Sequence, residues 1–199
     1  MPKEGKARVL DENEFKRLLL VARDAQMSER NVAIIYCSFG LGLRAKEIAA
    51  LKISDIFDEK LNVLEEVNLT RSMTKGEKQR HIYINNKKIS KALSEHIKTR
   101  QKKEGALFRY NDWLFKTQRK ESFSPDILQK WFRKLYDKAG IKGASSHSGR
   151  RTFITRLIEQ GADIKAVSNL AGHASITTTA GYVDSNPDRL KRISSLAVF

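Results

Sequence analysis

At 199 residues, with 40% hydrophobic and 31% charged side chains, the chain can bury a core in one domain or in two small ones, and its composition is that of an ordinary globular protein. Its 38 Lys and Arg against 23 Asp and Glu give a net charge of +15, which points to a polyanionic partner, nucleic acid before an anionic membrane. Cys37 is the sole cysteine, which excludes an intramolecular disulfide and a cysteine-based zinc site. No signal peptide or membrane span is expected, and the default compartment is the cytoplasm, at the nucleoid.

Residues 1–10 read as a basic leader. Asp11 with Glu14 three residues on has the spacing of a capping box, and Phe15, Leu18, Leu19 and Ala22 follow at helical intervals, predicting a helix over 12–25. Ser28 is placed to cap a second, apolar helix through Ile34, Ile35 and Phe39, ending at Gly40-Leu41-Gly42. It carries Cys37 as a small core residue. A third helix starts near Arg44, with Ile48, Ala49 and Leu51 on one face. Leu61 to Leu69, Ser72 to Lys75 and Arg80 to Ile84 are short and rich in β-formers, with Gly76-Glu77 between the last two. This pattern predicts a three-stranded antiparallel sheet.

Helical spacing returns at Ser90. Trp113-Leu114-Phe115 is an apolar stop in a polar loop, and Ser124-Pro125 opens another helix that runs to Gly140. Helices are expected near 148–160, 162–171 and 175–183, with a short one at 187–197. Leu190, Ile193, Leu196, Val198 and Phe199 give the tail from Asn186 to Phe199 an amphipathic face. It can dock on its own core or on a neighbouring protomer. The fold class expected is mainly α with a small sheet, in a single domain over residues 1–199.

The chemistry concentrates in the last third. His147-Ser148-Gly149-Arg150 is followed by Leu170-Ala171-Gly172-His173, and Tyr182 lies nine residues after that histidine. Arginine neutralises phosphate oxygens, imidazole moves protons or donates hydrogen bonds, and a phenol can form a covalent phosphoester. Taken singly these features are unremarkable. A His-x-x-Arg arises by chance, Gly172-His173 could be a helix C-cap, and a tyrosine is most often a half-buried aromatic. Their joint order and spacing carry the information.

This block resembles the active-site block of the tyrosine recombinases, the phage integrases and their relatives. There a His-x-x-Arg motif precedes Leu-x-Gly-His, and the nucleophilic tyrosine follows at the same nine-residue gap. The resemblance extends upstream. Gly40-Leu41-Gly42-Leu43-Arg44-Ala45-Lys46-Glu47-Ile48 is similar to the family's first arginine motif. Thr74-Lys75-Gly76-Glu77-Lys78-Gln79-Arg80 is similar to its lysine hairpin.

The resemblance implies six catalytic residues: Arg44, Lys75, His147, Arg150, His173 and Tyr182. Arg44 and Arg150 would grip the phosphate oxygens through paired, charge-assisted hydrogen bonds that lysine cannot copy. Tyr182 would attack phosphorus and hold the DNA 3′ phosphate, His147 would accept its proton, His173 would hydrogen-bond a phosphate oxygen, and Lys75 would protonate the leaving 5′ oxygen. No metal and no cofactor are implied. Lys78, Arg80, Arg151 and Lys165 are candidates for contacts to the DNA backbone, with solvated surface as the alternative.

The chain departs from the family pattern in places. Arg151 stands where the family usually has His, adding a cation near the phosphate or turning away to an acid. Gly149 replaces a commoner Leu and weakens local helix propensity. Ala171 and Leu41 replace a common Leu and Thr. The helical DNA-gripping domain that usually precedes this block is expected to be absent, so binding to DNA by this chain should be weak and salt-dependent.

The function implied is that of a site-specific recombinase or integrase catalytic domain, acting on double-stranded DNA as a homotetramer, with a monomer as the alternative when free of DNA. The competing readings are a type IB topoisomerase-like relaxing enzyme and a non-catalytic DNA-binding regulator. The short Leu-x-Gly-His block and the nine-residue gap favour the recombinase over the first, and Tyr182 has no purpose in the second. A metal-dependent nuclease is disfavoured because no carboxylate cluster accompanies the histidines.

Overall fold

The computed structural model describes residues 7–74, 79–119, 122–182 and 194–195. The capping box forms as expected. Glu14 N donates to Asp11 Oδ1 at 2.8 Å, Asp11 N donates to Glu14 Oε2 at 3.2 Å, and α1 runs from Glu12 to Asp24 with Leu18 and Ala22 inward.

The second helix, α2 (Ser28–Gly40), begins without a side-chain cap. Ser28 is its first helical residue, and the cap position falls to Met27 in a left-handed conformation with φ 60°. Buried on nearly every side, with polar Arg30, Asn31 and Ser38 included, α2 is the central strut of the molecule. It packs against α1, against α5 (Lys87–Glu104) and against α7 (Ser148–Glu159). Cys37 lies fully buried on it, and burial pushes its thiol up to about 12, as befits an inert core residue.

Two short helices follow, α3 (Ala45–Ala50) and α4 (Ile53–Ile56). The sheet differs from expectation. Among the described residues it has two strands, β1 (Glu66–Leu69) and β2 (Arg80–Tyr83), antiparallel with Val67 opposite Ile82 and Leu69 opposite Arg80. The segment expected to supply a middle strand turns instead, with Met73 N bonded to Thr70 O and Thr74 N to Arg71 O. Alternation puts Val67, Leu69, Arg80 and Ile82 on the buried face.

Helix α5 starts earlier than Ser90, because Asn86 caps it by accepting from Lys88 N at 2.9 Å. The apolar stop works as a pin. Leu114 and Phe115 are buried, and Leu114 N donates to Leu51 O at 2.7 Å. Helix α6 (Pro125–Lys138) has the expected Ser124 cap and first-turn proline. Helices α7, α8 (Ile164–Ala171) and α9 (Ile176–Ala180) close the described chain. The expected tail helix over 187–197 falls almost wholly outside the described residues.

Most buried apolar side chains form one core around α2. A smaller cluster of Ile154, Ile158, Val167 and Ala171 joins α7 to α8, and Tyr182 packs against it. Gly149 has a reason that its poor helix propensity conceals. A Cβ there would collide with Ser38 Oγ and lie 2.9 Å from Phe39 Cδ2, so glycine is what lets α7 approach α2.

Candidate active site

The C-terminal end of α8 organises the site. A helix leaves its last carbonyls without intrahelical partners, and the end carries roughly half a negative charge. Here three consecutive carbonyl oxygens each accept from a different arginine. Leu170 O takes Arg80 Nη1, Ala171 O takes Arg150 Nη2, and Gly172 O takes Arg44 Nη2 at 3.3 Å. Gly172 makes this possible. It sits at φ +61°, the left-handed cap conformation, and a Cβ on it would strike the Arg80 side chain. The chain then turns, His173 N donates to Ser168 O at 3.0 Å, and the imidazole points back into the site.

The arginines arrive from three elements. Arg44 is the N-cap of α3. Its own amide donates to Glu47 Oε2 at 2.7 Å and its Nη1 donates to Glu47 Oε1 at 2.8 Å. Arg80 comes from β2 and donates to Glu47 Oε2 at 2.9 Å. Arg150 comes from the first turn of α7, and its Nη1 donates to Gly42 O at 2.7 Å, across the turn that precedes Arg44. The Glu47 side chain is 0% exposed. Burial alone would raise its pKa, but the charges and hydrogen bonds of Arg80 and Arg44 outweigh this and hold it below the usual carboxylate range.

Three guanidinium groups thus share one helix end, and only two of them pair with the one carboxylate, which leaves an excess of positive charge in a largely buried place. Arg150 shows the consequence. Burial first, then the neighbouring Arg44 and Arg80, push it down to about 9. The same burial and the same three arginines hold His173 at about 4, so its imidazole is neutral at pH 7. An arrangement of this kind is pre-organised for an anion with a single or double negative charge.

Tyr182 lies beside it, against two flat groups. One is the His173 ring, 6.0 Å away between centroids and tilted by 17°. The second is Arg151, whose guanidinium carbon is 5.7 Å from the centroid of the phenol ring. Arg151 lies over the tyrosine ring, and among the described residues it forms no ion pair with an acid. Buried Thr179 ties the group together. Its Oγ1 is 2.7 Å from His173 Nδ1, and its carbonyl accepts from Tyr182 N at 3.0 Å.

Of the six residues expected to be catalytic, the structure brings Arg44, Arg150, His173 and Tyr182 into this one network. His147 is exposed at the N-cap of α7, three residues before Arg150, with its amide donating to Ser145 Oγ at 3.3 Å. Lys75 and Lys78 lie outside the described residues. Their flanking neighbours Thr74 and Gln79 line a cleft of about 680 Å³, together with Arg44, Arg80 and His173.

Lys165 is exposed on α8. Arg80, a candidate for contact to the DNA backbone with solvated surface as the alternative, is not solvated surface: it is 7% exposed and lines the cleft with Arg44 and His173, because its place in β2 points inward against Glu47. Glu47 and Thr179 were not singled out from the sequence. Glu47 had a signal, the Arg-x-x-Glu spacing of a reciprocal cap. Thr179 had none beyond lying between His173 and Tyr182.

Comparison with known proteins agrees with this geometry. The family model described as "Phage integrase family" matches residues 8–189. The tyrosine recombinase XerC of Caldanaerobacter subterraneus subsp. tengcongensis is 32% identical over 181 residues, covering 89% of this chain and 48% of its own length. The chain thus spans about half the length of that relative. The crystal structure of XerA recombinase is 28% identical with a TM-score of 0.73, covering 98% of this chain and 66% of that one. The Tn1549 transposon integrase, solved in complex with transposon right end DNA, shares the fold at 21% identity with a TM-score of 0.76, over 99% of this chain and 68% of its own. The match over residues 8–189 and the arginine, histidine and tyrosine network found within it place one conclusion beyond coincidence: the chain belongs to the phage integrase family.

Proposed function

We propose that this chain is the catalytic domain of a site-specific DNA recombinase, which cleaves and rejoins DNA strands through a 3′-phosphotyrosine. The observation that carries the reading is the convergence of three arginines on one helix end, two of them paired with the Glu47 carboxylate, beside a tyrosine stacked on a neutral histidine. Arg44 and Arg150 hold the non-bridging oxygens of the scissile phosphate, on which charge builds in the transition state. The Tyr182 oxygen bonds to phosphorus as the bond to the 5′ oxygen breaks. The phenol proton passes to His147, and Lys75 gives one to the departing 5′ oxygen. The phosphodiester bond energy is kept in the new ester, so attack by a 5′ hydroxyl rejoins the strand without ATP or metal.

The partner is double-stranded DNA, and the setting is the nucleoid. Exchange between two sites requires four protomers. Lys78, Lys165 and the wider positive charge of the chain supply contacts to the DNA backbone, which makes binding steeply salt-dependent. Among the described residues no helix is long and apolar enough to cross a membrane.

The test is to incubate the chain at low salt with a pool of nicked duplexes of randomised sequence and to recover protein–DNA adducts that survive denaturation. Adducts are expected without metal or ATP, and none with Tyr182→Phe. Adducts that persist in Tyr182→Phe, or no adduct from the unsubstituted chain, would overturn the reading.

A further inference from the structure

Thr179 is 0% exposed, so its hydroxyl proton needs an acceptor within the protein. Among the described residues its Oγ1 has a single hydrogen-bond partner, Nδ1 of His173 at 2.7 Å. A neutral imidazole has one nitrogen that donates and one that accepts, and the partner of one nitrogen dictates the role of the other. If Nδ1 carried the ring proton, it would donate to Oγ1 and leave the threonine proton buried without an acceptor, which is costly. If Nδ1 is bare, Thr179 donates to it and both groups are satisfied.

From this we infer that Thr179 is a positioning residue: its hydroxyl fixes His173 in the tautomer with the proton on Nε2, so that the free edge of the ring is a hydrogen-bond donor to the phosphate. The inference rests on the proposed function for its phosphate, but not for its tautomer. Tautomer choice matters in this site because the imidazole is neutral. Burial first, then Arg150, Arg44 and Arg80, already disfavour a cationic ring, so no second proton is on hand to make both nitrogens donors. The opposite tautomer would present a lone pair to an anion. Thr179 also accepts from Tyr182 N at 3.0 Å. One buried residue thus sets the angle of the histidine and anchors the backbone of the nucleophile.

The experiment has two readouts. The chain contains four histidines, His81, His96, His147 and His173, so two-bond 15N–1H spectra of uniformly 15N-labelled protein at pH 7 are tractable, with His173→Gln as the assignment control. His173 is expected as the Nε2–H tautomer in the unsubstituted protein and in Thr179→Ser, and as a mixture in Thr179→Val, which keeps the shape and deletes the hydroxyl.

The rate of adduct formation at saturating DNA should fall roughly 10- to 100-fold in Thr179→Val, somewhat less than the roughly 100- to 1,000-fold cost of deleting a transition-state donor outright. Thr179→Ser should restore the rate, and DNA affinity should hold in all three proteins. An Nδ1–H tautomer in the unsubstituted protein overturns the inference even if Thr179→Val fails to fold. So does an unaltered rate in Thr179→Val. An unsubstituted protein with the Nε2–H tautomer but no adduct would sink the recombinase reading and leave the hold of Thr179 on His173 standing.

Discussion

Glu47 bears more of the site than its place in the sequence suggests. Its two oxygens take Arg44 through both side chain and backbone, and Arg80 through the side chain. Removing one member of a buried charge network leaves the others uncompensated, at a cost of about 3–5 kcal/mol. Glu47→Gln retains the shape and loses the charge, so unfolding in urea should show a loss of about 3 kcal/mol, together with weaker adduct formation. An unchanged midpoint would mean that the helix end of α8 alone neutralises the arginines. At this scale the sequence is legible where a residue acts through its own chemistry: Arg44, Arg150, His173 and Tyr182 announce themselves by type and spacing. It is opaque where a residue acts through a distant partner. Arg80 reads as a surface cation until the fold brings Glu47, thirty-three positions away, against it. Thr179 reads as one of three consecutive threonines, and only burial selects it.

Among elements, the packing of α7 on α2 sets where Arg150 stands, since Arg150 follows the glycine at the contact. Gly149→Ala improves intrinsic helix propensity yet forces a methyl group onto Ser38 and Phe39. Overpacking of this kind costs about 1–3 kcal/mol, against a propensity gain of about 1. The variant should therefore be less stable in thermal unfolding, and Arg150 should shift away from Gly42 O. A gain in stability would show that the two helices have slack. The elements themselves follow from periodicity and capping: α1, α6 and the run from α7 to α9 stand close to their expected bounds. The middle strand does not, because Met73 and Thr74 are drawn into turns by local backbone bonds that propensity does not register.

Considered whole, the molecule carries two histidines whose neutral form is favoured by the fold. Burial lowers His96 to about 4, against the opposing effect of its hydrogen bond to Leu114 O, and burial with the arginines lowers His173 to about 4. The unfolded chain binds these protons near pH 6.5 while the native one does not, so stability is full above that value and declines as pH falls toward 4. Fully buried His96 contributes about 3 kcal/mol to this loss. Urea unfolding at pH 7, 6 and 5 should record the decline, flattened in His96→Gln; a flat profile in the unsubstituted protein contradicts it. Below about pH 4.5 the depressed carboxylates, Glu47 and Asp112 among them, add their own loss.

If the arginine cluster presents a phosphodiester to Tyr182, digestion of the denatured adduct and mass spectrometry will locate the nucleotide there. A 3′ phosphate esterified to the Tyr182 oxygen and a free 5′ hydroxyl on the released strand are expected. A nucleotide on any other side chain, or a linkage through the 5′ phosphate, would contradict it.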